Sequence, residues 1–199
     1  MLRLKRQLRR LRARVSIPGL LAASSERSVI SLVSGLNAGC AIFTISLIAW
    51  LIDLPLLFPA LGPTAFVLFS QPFSPAAAPR SVILGHGAAI LTGWASWLLV
   101  NSVCHDPVTL TMQGWPPLIS ASVALAVCCI LLVRLGCPHA PACASALIVA
   151  LGAASSPVAL IGMAVGVMAL TAQAVVVSRV VGVNVPLWFP RRTMLESAL

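Results

Sequence analysis

The run Leu56-Leu57-Phe58-Pro59-Ala60-Leu61-Gly62-Pro63-Thr64-Ala65-Phe66-Val67-Leu68-Phe69 decides the architecture of this chain. It is uncharged and almost wholly apolar, but it is only about 15 residues long, where a membrane helix needs about 20. A second short run occupies 140–154. By length alone each is either a full crossing or a re-entrant loop. Four longer apolar runs, 28–52, 81–100, 117–133 and 158–181, are each long enough to cross.

The basic residues choose between six crossings and four, because Lys and Arg collect on the cytoplasmic side of membrane proteins. With six crossings and a cytoplasmic N-terminus, Arg80 and Arg134 fall inside, and Arg179, Arg191 and Arg192 follow the sixth run on the same side. The outer connections then hold Asp53, His105-Asp106 and Ser155-Ser156, with no Lys or Arg. With only four crossings Arg80 and Arg134 move outside. Six crossings are therefore expected, with both termini cytoplasmic. A helix of 15 residues covers roughly 22 Å of a core roughly 30 Å thick, so extended backbone must complete each short crossing. Such backbone is tolerated only where protein or water satisfies it, which places the short runs at the centre of the bundle and the long ones around them.

Composition agrees with a membrane protein. Of 199 residues 59% are apolar and 9% charged, and the mean hydropathy is +1.02. Soluble domains carry about 25% charged residues, so an ordinary cytosolic domain is excluded, as are a disordered chain and a disulfide-stapled secreted module. Basic residues outnumber acidic ones 13 to 4, a formal +9. Seven of the 13 lie in the first 14 positions, from Arg3 to Arg14, with Leu4, Leu8, Leu11 and Val15 at helical spacing between them. The stretch reads as a solvated basic tail that sets orientation, or as a short amphipathic helix on an anionic leaflet. It has no interleaved aromatic residue, so no nucleic-acid partner is expected. Three regions follow: a basic cytoplasmic segment 1–27, a membrane domain 28–181 and a cytoplasmic tail 182–199. The expected location is a bacterial inner membrane. An organelle membrane stays open, because the start is Arg-rich and free of acids.

The order long, short, long occurs twice, with echoes between the halves. Gly62-Pro63-Thr64-Ala65 answers Ala140-Pro141-Ala142-Cys143, Ser74-Pro75 answers Ser156-Pro157, and Gly85-His86-Gly87 answers Gly162-Met163-Ala164. Three crossings per half put the halves in opposite orientation, the inverted-repeat design whose binding site lies at the repeat interface. The fold class is thus an all-α polytopic membrane bundle of about six crossings, four long and two short, with a 3+3 inverted repeat.

Pro63 and Pro141 each suit the first position of a helix, and the free N–H groups of such a first turn attract anions. Two opposed half-helix ends facing one small anion need no buried Lys or Arg. Gly62, Thr64, His139, Pro141 and Ser145 are the expected substrate-binding residues, with the hydroxyls as donors. His86 is a polar neighbour or a proton-coupled group, because an intramembrane histidine is a site candidate whose unperturbed pKa is near neutrality. Arg80 stands at the inner entrance. The competing reading is that the prolines only start helices, the small residues allow close packing and the histidines bond neighbouring helices. Asn37 and Gln173 are read as bridges between helices.

Of the six cysteines, Cys40, Cys104, Cys128, Cys129, Cys137 and Cys143, five lie in or beside apolar runs, where Cys acts as a small hydrophobe. The spacing within 137–143 is not a zinc pattern, so no metal is expected, and no cofactor motif is present. Four acids leave little for general acid–base chemistry, so no enzyme is expected. Small-residue positions Gly162, Gly166 and Ala169 suit self-association as a homo-oligomer.

Three blocks resemble the HPP family of small integral membrane proteins. Leu61 to Phe69 is similar to the family's F-G-A-S-A-V-L-L-F type of segment. Pro72-Phe73-Ser74-Pro75, Ala78-Pro79-Arg80-Ser81 and Gly85-His86 follow its P-x-S-P, Q-P-R-N and G-H pattern. His139-Ala140-Pro141-Ala142-Cys143-Ala144-Ser145-Ala146-Leu147 resembles the namesake H-P-P-A-G-A-T-A-L stretch. Here Ala140 replaces its central Pro, Cys143 a Gly and Ser145 a Thr, and Ala78 and Ser81 replace Gln and Asn. The resemblance implies a membrane-helix bundle, and nitrite transport for its plastid and cyanobacterial relatives. A transporter or channel for a small anion is the expected function, with nitrite as candidate and the lipid bilayer as the other partner. A non-transporting scaffold or subunit of a larger membrane complex is the alternative.

Overall fold

The structure, a computed structural model, describes residues 26–104, 108, 114–186 and 188. The basic segment 1–25, His105, Asp106, Arg191 and Arg192 lie outside the described residues. Six α-helices follow in order: α1 Glu26–Ile52, α2 Leu61–Ser70, α3 Pro79–Val103, α4 Pro116–Arg134, α5 Pro141–Ala150 and α6 Pro157–Val180, with a 3-10 turn at Pro75–Ala77 before α3. The long helices α1, α3, α4 and α6 are apolar enough to cross a membrane. The short helices α2 and α5 have 10 residues each, about 15 Å of rise.

Local chemistry sets these limits. Proline opens α3, α4, α5 and α6, where its missing N–H leaves no helix bond unmade. The hydroxyls of Ser74 and Ser156 accept from the N–H groups of Ala77 and Ala159, both at 3.2 Å, so the two Ser-Pro echoes are matching N-caps. Asp53, at φ 52°, ends α1. Gly136, at φ 60°, ends α4. There the Cys137 N–H reaches back to the Leu132 carbonyl at 2.9 Å, a closure that needs a left-handed residue.

Hydrogen bonds between segments show how the chain runs. Arg80 Nη2 donates to the Leu135 carbonyl at 3.0 Å, and the Arg80 N–H donates to the Trp188 carbonyl at 3.3 Å. The start of α3, the end of α4 and the stretch after α6 therefore share one end of the bundle, with Arg80, Arg134 and Arg179. Ser34 Oγ donates to the Phe69 carbonyl at 2.9 Å, which brings the start of α1 and the end of α2 to that basic end. At the opposite end, Ser120 Oγ donates to the last carbonyl of α5, that of Ala150, at 2.7 Å. Residues 53–71 and 135–156 therefore each carry the chain from one end to the other. Both short helices complete a traverse, with non-helical backbone supplying the rest.

The principal packing pairs are α1 with α2 and α6, α2 with α5 and α6, α3 with α4, α5 and α6, and α4 with α5. Exchanging α1 with α4, α2 with α5 and α3 with α6 turns this set into itself, the contact pattern of a two-fold repeat. The short helices differ in burial. No residue of α5 is exposed, whereas Gly62, Pro63 and Phe66 of α2 are. α2 is central on one face only. Its outer face and Ser31, Ser34, Gly35 and Ala38 of α1 line a groove of about 370 Å³.

Two close approaches join the halves. A Cβ on Gly93 would stand 2.6 Å from the Ala146 carbonyl oxygen, and one on Gly166 would run into the Leu56 carbonyl. Gly162 and Gly166 are buried against the 55–56 backbone. They are therefore not the self-association face expected of them, because the chain's own non-helical lead-in to α2 fills the space the glycines leave.

Candidate functional site

Where α2, α3 and the start of α5 meet, four polar side chains form one cluster. α2 contributes Thr64, α3 contributes His86, α5 contributes Ser145, and His139 stands two residues before α5. All four are at most 1% exposed. Thr64 Oγ1 lies 3.0 Å from His86 Nε2 and 3.3 Å from His139 Nε2. His86 Nδ1 lies 2.8 Å from Ser145 Oγ. The ring centroids of the histidines are 5.1 Å apart, and Phe58 meets His86 edge-on at 6.3 Å.

One carbonyl sets the direction of these bonds. His139 Nδ1 lies 2.8 Å from the Ala76 carbonyl oxygen. A carbonyl only accepts, so Nδ1 carries the proton, and the Nε2 of neutral His139 is an acceptor. Its one partner in the cluster is the Thr64 hydroxyl, which also lies 2.8 Å from the Ala60 carbonyl oxygen. That carbonyl already accepts from the Thr64 N–H at 3.2 Å, so donation of the hydroxyl proton to His139 is the arrangement that leaves no buried acceptor unpaired. His86 Nε2 must then donate to Thr64, and the Ser145 hydroxyl donates to His86 Nδ1. The resulting chain runs from Ser145 through His86, Thr64 and His139 to the Ala76 carbonyl. The opposite tautomer of His86 would ask the single Thr64 proton to serve two imidazoles and leave one buried acceptor unpaired.

The helix ends differ from the expectation drawn from the prolines. Pro141 does begin α5, but α2 begins at Leu61, two residues before Pro63. The first N–H groups are not free. Those of Leu61 and Gly62 donate to the Phe58 and Pro59 carbonyls, and those of Ala142 and Cys143 to the His139 and Ala140 carbonyls. The residues before both helices are already helical in conformation, so each lead-in winds into a 3-10-like turn that uses these donors. The donors that face the cluster are thus side chains.

Of the other expected residues, Pro141 is buried as the first residue of α5. Gly62 is exposed on the opposite face of α2, in the groove with α1, with no neighbour where a Cβ would stand. Gly62 therefore lies away from the cluster, because α2 begins earlier and the turn carries it outward. Arg80 sits at the basic end and grips the lead-in to α5. Its Nη1 is 3.5 Å from Cys137 Sγ, two residues from His139. Asn37 and Gln173 are half-buried and take no part in the cluster. Cys129 and Cys143 bring their sulfurs to 3.8 Å. Among the described residues no three His, Cys, Asp or Glu side chains gather as a metal would need.

The family described as HPP, transmembrane region, matches residues 24–186, from before α1 to beyond α6. The chain belongs to the HPP family. The match covers the whole helical bundle and every residue of the cluster, so this HPP chain is an integral membrane protein in contact with the lipid bilayer. No curated protein and no solved structure matches it. Sequence reasoning named all four side chains of the cluster but neither carbonyl, Ala60 or Ala76, since any residue type supplies one. The Phe58 contact and the Arg80–Cys137 contact also had no signal in the sequence, as they join segments far apart in the chain.

Proposed function

We propose that this HPP protein carries a small monovalent anion across the membrane, and that the path passes between the two short helices at the Thr64–His86–His139–Ser145 cluster. The observation that supports this reading most is the cluster itself. Polar side chains in a membrane interior are costly and mark ion and substrate pathways, and these four lie where broken segments of two repeated halves meet. Hydroxyl and imidazole donors suit an anion with few oxygen atoms. Nitrite is the candidate substrate, from the HPP resemblance. By the positive-inside rule, the end with Arg80, Arg134 and Arg179 faces the cytoplasm, in a bacterial inner membrane. Arg80 then stands at the inner mouth. The closed cluster corresponds to an occluded conformation, and transport requires α2 or the α5 lead-in to move.

One observation favours a second reading, a non-transporting scaffold: the cluster's polar groups satisfy one another and none reaches solvent. Anion uptake into liposomes holding the purified protein separates the two, with nitrite, nitrate, formate and chloride in parallel. Saturable uptake that prefers nitrite supports the carrier, and loss of it in His86→Gln, in a variant that still folds, ties it to the cluster. No flux of any of the four from folded protein sinks the carrier and leaves the cluster as packing.

A further inference from the structure

The Thr64 hydroxyl has three partners within reach and one proton. Besides the two imidazoles, the Ala60 carbonyl oxygen lies 2.8 Å from Thr64 Oγ1. In the neutral chain the hydroxyl donates to His139 Nε2. The Ala60 carbonyl is not orphaned, because it also accepts from the Thr64 N–H at 3.2 Å.

Now let one proton arrive at His139 Nε2. That nitrogen becomes a donor to Thr64 Oγ1, and the Thr64 O–H turns to the Ala60 carbonyl. Thr64 Oγ1 then accepts from both imidazoles and donates once, the full capacity of a hydroxyl. His139 Nδ1 still donates to Ala76, and Ser145 still donates to His86. Each polar atom of the cluster is satisfied before and after, and the two arrangements differ by one proton and one hydroxyl rotation. The heavy atoms stand where both need them.

Among the described residues, the helices around His139 supply no carboxylate to balance this proton. No Asp or Glu occurs in α2, α3, α4, α5 or α6. Among the described residues, His86 of α3 stands with its ring centroid 5.1 Å from that of His139, and Cys137 on the same lead-in packs with Cys128 of α4 and Cys143 of α5; none is a carboxylate. The Arg80 cation is held to Cys137, two residues from His139. A buried imidazolium without a counter-charge is costly, and so is a lone anion in the same place. Together they are neutral.

We propose that His139 Nε2 is a proton-binding site, switched by the Thr64 hydroxyl, and that its proton enters the cluster together with one monovalent anion, so that the two are carried as a neutral pair. The coupling rests on the transport reading above. The proton site rests on the hydrogen-bond geometry alone.

Two experiments separate these parts. The first is solid-state NMR of the full chain in lipid bilayers, with ¹⁵N-labelled histidine and a ¹³C-labelled Ala60 carbonyl, over about pH 8 to about pH 4.5 in the presence of nitrite. Signals are assigned by their loss in His86→Gln, His105→Gln and His139→Gln. The expected result is that His139 gains a second ring proton while His86 keeps only Nε2–H, and that the Ala60 carbonyl signal moves with the same midpoint. Thr64→Val, close in shape to the native residue, abolishes the Ala60 movement. A folded protein in which His139 stays neutral throughout, or gains its proton with no response at Ala60, overturns the switch. The second is nitrite uptake under an imposed proton gradient. Uptake that rises with an inward gradient and carries no net charge supports the neutral pair. Saturable uptake indifferent to the gradient overturns the pairing alone. Absence of all flux overturns the transport reading and the pairing with it, and the NMR result still decides the proton site.

Discussion

Each cluster side chain touches a partner that cannot turn to water, which makes the cost of truncation readable. Ser145→Ala leaves His86 Nδ1 with no donor and should lower stability by about 1–3 kcal/mol, measured by thermal unfolding in detergent. Thr64→Val removes the partner of two imidazole nitrogens at once and should cost about 2 kcal/mol or more. Gly62→Ala is the contrasting case. Its Cβ points into open space at the α1–α2 groove, so transport should be unchanged. A marked loss of nitrite flux in that variant would return Gly62 to the path. Thr64, His86, His139 and Ser145 stand out in the sequence because polar side chains are rare in membrane helices. Gly62 drew the same attention as part of a Gly-Pro pair, but its direction depends on where α2 begins. That start depends on the 3-10-like lead-in, which no residue type announces.

At the level of elements, α5 is held by its neighbours on every side. α3 lies so close that the Gly93 Cα faces the Ala146 carbonyl directly. Gly93→Ala should cost about 1–3 kcal/mol through overpacking, again visible in thermal unfolding, and Gly166→Ala should do the same where α6 crosses the lead-in to α2. Helix α1 is different, since only 11% of its most apolar window is buried, and substitutions on its lipid-facing side should be tolerated. The four long helices were legible from apolar length, and the Ser-Pro pairs as a repeated feature, while their role as caps came from the structure. The unequal exposure of α2 and α5 was not legible, because the two runs are alike in length and hydropathy and differ only in what packs on them.

Across the whole molecule, the traverse of both short segments makes a topological prediction. In a background free of native cysteine, Ser74→Cys should react with an impermeant thiol reagent from the basic side of the membrane, and Ser155→Cys from the opposite side. Labelling of both from one side would mean that the short segments turn back. The repeat is also uneven in chemistry. His86 and His139 stand where the other half has Met163 and Leu61, which are fully buried in the apolar core. The two-fold arrangement of helices therefore encloses a polar cluster on one side of its pseudo-axis and an apolar one on the other. Both halves contribute to the polar cluster, Thr64 and His86 from the first and His139 and Ser145 from the second.

Composition, the placement of Arg80 and Arg134 and the lengths of the apolar runs determined by themselves that this is a membrane bundle of six traverses built as two like halves. These are one-dimensional properties: transfer of side chains into lipid and charge asymmetry across it act on each segment separately. The tertiary structure alone decided that Thr64, His86, His139 and Ser145 share one hydrogen-bonded chain, that the first N–H groups of α2 and α5 are already bonded, and that Gly62 faces away. Those outcomes depend on the rotation of each helix about its axis and on main-chain carbonyls brought close by folding, and neither leaves a mark on the identity of any single residue.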